Sequence, residues 1–346
     1  MKKKHFSFLL VTIASMGLPC LPSCSNVQVG KHAVKESIVG QNELSSLKIP
    51  ATSDTLCKEE GNLNMITHIS GNNLCKLYYK ETTRPLKFEI WNMDGDSKLY
   101  SYDAGDDLPL MPFATFSQDY LTLHDILSQK TVVINIAEAS ENIEYVPVNR
   151  PSDINSSRIL PWGERLVFLN DYSFVDGIPR VLFSNRKWNY KEKKNYRFNS
   201  TNVVHGSLIR KEDMSKIAYV PSNDNTIELL DNQGRKETLL IFYHEKKQGI
   251  GSFDNNGITV YAYKFPPVPC FSSACAGKNS FIAGYVDDNG NHSIVILDWD
   301  GNLLGGFNVN GEILDLSFSE DENTIYSYEH IGNYEYLIAY NSPLNE

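Results

Sequence analysis

The sequence predicts an all-β chain, folded as a six-bladed β-propeller closed by an N-terminal strand. Three observations predict it. First, a unit of apolar strand, polar turn and second strand recurs along the chain. It reads FEIWNMDGDSKLYSY from Phe88, VVINIAEASENIEYV from Val132, RVLFSNRK from Arg180, IELLDNQGRKETLLIF from Ile227 and IVILDWDGNLLGGF from Ile294, while YLIAYNSP from Tyr336 breaks off before its second strand. Second, the starts stand about 45 residues apart, the spacing of propeller blades. Third, short apolar runs such as LCKLYY, RLVFLN, KIAYVP and SFIAGYV alternate with turn signals such as SGNN, SNDN, DDNGN and SEDEN, and no stretch has a long, capped helical period.

Taken in order, the blades fall near residues 63–105, 110–148, 157–198, 202–243, 250–308 and 312–342. The step before the fifth unit is about 20 residues longer than the others, which places an insertion around KFPPVPCFSSACAG. The sixth blade lacks its outermost strand. That strand is expected from HAVKESIVGQNELSSLKI, so that the ring is tied shut and its sheet edges are covered.

The chain opens with a targeting pattern: Lys2, Lys3 and Lys4, an apolar run from Phe6 to Leu18, then Leu21-Pro22-Ser23-Cys24. The run is short for a membrane span. A Leu three residues before a Cys, with a small residue just ahead of it, resembles the lipobox of bacterial lipoproteins. The resemblance implies cleavage before Cys24 and a lipid on its new N-terminus; Cys20, preceded by Pro19, is the rival. The expected organisation is a signal peptide over 1–23, a polar tether over 24–45 and the propeller over 46–346. The formal charge is −10, and residues 1–23 hold three Lys and no acid, so the remainder is more acidic still. An acidic body argues against nucleic acid and against docking on anionic headgroups.

An exported chain meets an oxidising compartment, which makes disulfides an expectation. Cys270 and Cys275 lie in a turn-rich stretch and form one candidate pair. Cys57 and Cys75 form the other, with Cys75 as a buried thiol the alternative.

The stretch SFIAGYVDDNGNHSIVILDWDGNLLGGFNVNGEILDLSFSEDENTIYSYEH resembles the closing part of the TolB-like six-bladed propeller lipoproteins of Bacteroidota, as does the lipobox. The resemblance covers the signal and about the last third of the chain. It implies fold and location and no chemistry. DAGDDLPLMP departs from the Gly- and Pro-rich stretch that the family carries after its first blade. Asp54-Thr55-Leu56 resembles the O-glycosylation signal of exported proteins in the same bacteria, with Thr55 as the acceptor.

Channel-lining candidates come from the innermost strands: His68, His205 and Asp315, with His124 on a neighbouring strand. Two His and one Asp can hold a metal, but backbone groups and water satisfy such residues more often, and no metal or cofactor is expected. DWDGN at 298–302 and NMDGD at 92–96 fail the spacing of a calcium loop and read as hairpin turns. NRKWNYKEKKNYRF at 185–198 interleaves basic and aromatic residues, a pattern for an anionic glycan or a solvated hairpin. Neither a Gly-x-Ser-x-Gly elbow nor HExxH is present. The function expected is a lipid-anchored envelope module that binds a protein or a glycan, outer-membrane held and facing the periplasm. The alternative is a hydrolase or lyase of the six-bladed lactonase type with a channel metal.

Overall fold

The computed structural model describes residues 34–45, 47, 53–61, 65–80, 84–93, 97–103, 112–117, 119–125, 130–137, 144–147, 154–162, 165–173, 180–185, 206–222, 225–242, 251–255, 258–262 and 270–345. They are almost all strand. β1 (Lys35–Val39), the single turn α1 (Gln41–Ser45) and β2 (Ser53–Glu60) come first. β3 (Met65–Ser70), β4 (Asn73–Lys80), β5 (Arg84–Asn92) and β6 (Ser97–Asp103) form the first antiparallel meander. β7 (Pro112–Ser117), β8 (Tyr120–Asp125), β9 (Lys130–Asn135) and β10 (Glu144–Pro147) form the second, and β11 (Ile154–Trp162), β12 (Arg165–Ser173) and β13 (Arg180–Asn185) the third. The fourth holds β14 (Gly206–Arg210), β15 (Lys216–Pro221), β16 (Thr226–Asp231) and β17 (Lys236–Phe242). A separate hairpin follows, β18 (Gly251–Asn255) with β19 (Ile258–Ala262). The fifth meander is β20 (Cys270–Ala276), β21 (Ser280–Val286), β22 (His292–Asp298) and β23 (Leu303–Val309); the sixth is β24 (Glu312–Phe318), β25 (Thr324–Ile331) and β26 (Tyr334–Asn341). The described chain is all-β, a succession of small sheets built of antiparallel meanders.

The first strands of successive sheets touch: β7 meets β11, β11 meets β14, β14 meets β20, β20 meets β24, and β24 meets β3. The sheets pack face to face, so their middle strands are buried on both sides. On β21, Phe281, Ala283 and Tyr285 pack toward the fourth sheet, while Ile282 packs toward the sixth. On β22, Val295 and Leu297 face one way and Ile294 and Ile296 the other. Alternate residues of a strand point to opposite faces, so two apolar neighbours turn IVIL into a continuous apolar run.

Two expectations are corrected by position. The extra element is the β18–β19 hairpin, before Cys270, and not CFSSACA. That stretch looks like a loop because it is Ser, Ala and Cys, yet it is β20. Small side chains suit a strand crowded by its neighbours, and Cys270, Phe271, Ser273 and Ala274 are all buried. Part of the expected 24–45 tether is also structured. β1 pairs in parallel with β17, Lys35 opposite Thr238 through Val39 opposite Phe242. The last sheet's outer strand comes from further along, as β2 pairs antiparallel with β26. β2 is polar and mostly exposed, with Cys57 and Glu59 turned inward, so it carries little of the hydrophobic alternation that marks a strand.

The N-terminal segment is fastened at several points. Glu43 reaches back to the Gly40 N–H at 2.7 Å, half of a capping box for α1. Leu44 and Leu47 pack on the core between the fourth and fifth sheets. Lys35 Nζ donates to the Asp300 carbonyl at 3.1 Å. Glu59 takes Lys76 Nζ at 2.7 Å, and the Tyr328 hydroxyl lies 2.6 Å from both Glu59 and Glu335. Burial, then the two carboxylates, push the Tyr328 phenol well above its usual value.

Three hairpin turns share one chemistry. Asp231, Asp287 and Asp298 each accept two backbone N–H groups, from the residues two and four places on. A glycine at positive φ completes each turn: Gly234, Gly290 and Gly301. DWDGN is therefore a hairpin turn, its Asp298 carboxylate taken up by amides. It also docks on the fourth sheet. Trp299 is buried against Phe281, and Lys216 Nζ holds the Trp299 carbonyl and the Asp300 carboxylate, each at 2.8 Å.

Gly301 has φ +86°, and a Cβ there would stand 2.9 Å from Leu240 Cδ2 and 3.0 Å from Thr238 Cγ2. Gly301→Ala should therefore lower stability by about 1–3 kcal/mol, read as a lower denaturant midpoint. Glu329 is wholly buried, accepting from the Tyr340 hydroxyl at 2.8 Å and the Gly311 N–H at 3.1 Å. Burial raises its carboxyl above the ordinary 4.5, against the lowering pull of those bonds. A carboxyl with a raised folded value favours folding in acid, and that contribution is lost as pH rises from 4.5 through the folded value. The stability of wild type relative to Glu329→Gln should accordingly fall as pH is raised over this interval; a flat difference in urea melts would refute the assignment.

Candidate functional site

The sequence singled out His68 and Asp315, 247 residues apart along the chain, and the structure brings them together. β3 and β24 lie side by side, and His68 Nδ1 stands 2.8 Å from Asp315 Oδ2. The same oxygen accepts the Ile69 N–H at 2.7 Å, and Oδ1 accepts the Ser273 hydroxyl at 2.9 Å. One carboxylate thus ties β3, β20 and β24. His68 is 8% exposed and stacks on Phe116 of β7, ring centroids 4.5 Å apart.

The pattern repeats beyond this carboxylate. Ser207 of β14 accepts the Ala274 N–H of β20 at 3.1 Å. Ser317 of β24 accepts the Gly71 N–H at 3.0 Å, just past β3. The Ser70 hydroxyl donates to Asp119 at 2.7 Å, and the Asn73 amide donates to the Ile136 and Ala137 carbonyls at 3.1 Å each, joining the first and second sheets. In each case a short polar side chain on one sheet satisfies a polar group of the next, where an unpaired buried N–H would be costly. Sequence reasoning missed these serines. β3, β7, β11, β14, β20 and β24 each hold at least one Ser, but so do many of the other strands, so composition alone does not mark them.

An imidazole whose Nδ1 rests on a carboxylate is oriented, as in many general bases and metal ligands. The neighbouring contacts decide what this one does. Ser273 donates to Asp315 and not to the imidazole, so the three residues do not form a Ser–His–Asp relay. Both Asp315 oxygens are engaged in joining strands. The geometry is that of a clamp at the meeting of four sheets.

The other candidates fall as follows. His205, Cys24 and the cluster at 186–198 lie outside the described residues, and His124 falls on β8. Thr55 is on β2, exposed, with Asp54 and Leu56 exposed on either side. The disulfide expectation is corrected: Cys57, Cys75, Cys270 and Cys275 are free thiols. Cys270 and Cys275 share β20, and five residues of extended strand span about 16 Å, beyond the reach of a bridge. Cys75 is wholly buried at the centre of β4. Burial raises three of these thiols out of the range where a thiolate forms: Cys75 well above the usual thiol value, Cys270 to about 11 and Cys275 to about 12. Such thiols stay protonated and inert at neutral pH. Among the described residues, no three His, Cys, Asp or Glu side chains converge as metal ligands do.

No family model matches the chain, and no curated protein does. Among solved structures, U3-55K aligns with a TM-score of 0.45 and 11% identity, over 85% of this chain and 100% of that one. The RRP9 WD40 repeats align at 0.43 and 13% identity, over 85% and 99% of the two chains. KlHsv2 with loop 6CD replaced by a Gly-Ser linker aligns at 0.42 and 12% identity, over 77% and 75%. At TM-scores below 0.5 these likenesses carry no argument about this chain.

Asp315→Ala would strand the buried Ile69 N–H and Ser273 hydroxyl and remove the partner of His68. It should destabilise the protein by roughly 2–5 kcal/mol, measured by chemical denaturation. A loss below about 0.5 kcal/mol, within the range of ordinary surface substitutions, would mean that the carboxylate does not clamp the strands.

Proposed function

We propose that this chain is a lipid-anchored propeller of the cell envelope, six-bladed and closed by its N-terminal strand, which serves as a rigid binding module for a protein or glycan partner. One observation carries the reading. The polar groups of the first strands are spent on joining sheet to sheet, above all at Asp315, which suits a scaffold that presents its turns and faces to a partner. The ring is supported by the chain of first-strand contacts, which returns from β24 to β3, and by the His68–Phe116 stack between β3 and β7. Closure is supported by the pairing of β2 with β26. The envelope location and the kinship with TolB-like lipoproteins of Bacteroidota are supported by the Leu21-to-Cys24 pattern and the IVILDWDG hairpin, and we place the anchored protein on the periplasmic face. Exposure of Thr55 supports its role as an O-glycan acceptor.

Labelled palmitate should enter the wild-type protein and not Cys24→Ala, and only the wild type should partition with detergent. Cross-linking in whole cells should then recover a partner from the anchored wild type. Stoichiometric metal in the purified protein, lost on His68→Ala, would overturn the binding-module reading in favour of a metal-dependent hydrolase or lyase.

A further inference from the structure

The turn between β3 and β4, the turn between β20 and β21, and the turn between β24 and β25 come together around an open groove of about 560 Å3. Its volume is that of small-ligand sites, about 300–1,000 Å3. Asn72 contributes from the first turn and Lys278 from the second. Ser319, Glu320 and Asp321 contribute from the third, and Thr324 and Tyr326 from the strand that follows.

The walls are braced to one another. Asp321 accepts the Ser319 hydroxyl at 2.6 Å, the Asn323 N–H at 3.1 Å and the Asn323 amide at 2.6 Å, and Ser319 Oγ accepts the Thr324 N–H at 3.0 Å. The Ser319 hydroxyl, then the Asn323 groups, hold the Asp321 carboxyl below its usual range. Glu322, at φ +59°, turns its carboxylate onto the Lys278 N–H and so joins the second turn to the third. The Tyr326 hydroxyl stands 3.5 Å from Asn72 Oδ1, across to the first turn. A groove whose walls are fixed in advance loses little ordering entropy on binding.

We infer that this groove binds a neutral oligosaccharide, an inference that rests on the binding-module reading above and names its ligand class. Each sugar hydroxyl both donates and accepts. The groove offers both kinds of partner: Lys278 as a donor, Glu320 and Asp321 as acceptors, Thr324 and Asn72 as either. Two carboxylates against one ammonium leave the rim net negative, on a chain of formal charge −10. That field repels phosphate, sulfate and uronate groups. An open groove, unlike a closed pocket, also lets a longer chain pass through.

The test is a printed array of neutral, uronic, sulfated and amino glycans, probed with the full-length protein in detergent and followed by calorimetry on the strongest neutral ligand. Lys278 and Glu320 are exposed, so Lys278→Ala/Glu320→Ala should melt as the wild type does. Hydrogen bonds to charged groups contribute about 1.5–3 kcal/mol each, so the double variant should bind at least about tenfold more weakly. Three results would overturn the inference: no neutral glycan bound, binding confined to anionic or amino glycans, or equal affinity in the double variant. If the array is blank while whole-cell cross-linking yields a protein partner, the groove assignment falls and the binding module stands. If both are blank, both fall.

Discussion

A buried carboxylate must find its partners in the protein, and Asp315, on β24, finds them on two other strands, β3 and β20. That requirement organises the molecule. Asp315 needs the His68 ring, the Ile69 N–H and the Ser273 hydroxyl at once, which fixes how β3, β20 and β24 sit beside one another. Apolar packing between sheets is strong but non-directional and tolerates sliding. The hydrogen bonds of Asp315, and those of Ser207 and Ser317 next to it, supply the register that packing lacks.

Around that centre, the sheets stack through apolar faces and are locked at their turns. The DWDGN turn shows how the two effects combine. Asp298 shapes the turn, Gly301 lets it approach β17, Trp299 fills the core between sheets, and Lys216 ties the exposed end. The N-terminal segment does the same at the periphery. β1 extends the fourth sheet, Leu44 and Leu47 cover its junction with the fifth, and β2 completes the sixth. Glu59 then links β2 to Lys76 of the first sheet and to Tyr328 of the sixth. A segment so fastened is part of the fold.

This organisation separates stability from recognition. Side chains at the centre are occupied with one another, while the turns present acids, amides and hydroxyls to solvent. The groove between three turns has ordered walls: the β24–β25 turn is braced by side-chain-to-backbone bonds of its own, and Ser317 and Glu322 reach from its sheet to N–H groups of the other two turns. Glu322 pays for its positive φ with the bond it makes to the neighbouring turn.

Strand alternation, the spacing of the repeats and the Asp-Gly turns were legible in the sequence because they are local: a turn of four or five residues and a strand of six determine themselves. His68 and Asp315 were also legible as candidates, since a His and an Asp within apolar strands are conspicuous. Their partnership was not, because it joins residues at opposite ends of the chain. CFSSACA was misread, and SDTLCKEE was passed over as the closing strand in favour of HAVKESIVGQNELSSLKI, for a related reason. Neither has the apolar alternation of a strand, and both become strands only because a neighbouring edge pairs with them: β21 for the first and β26 for the second. The sequence by itself determined that the chain is all-β and where its hairpins turn. Tertiary structure alone decided which N-terminal stretch covers which edge, that the four described cysteines form no disulfide, and which three strands share one carboxylate. Those outcomes depend on distance in space, and distance in space is not written in the order of the residues.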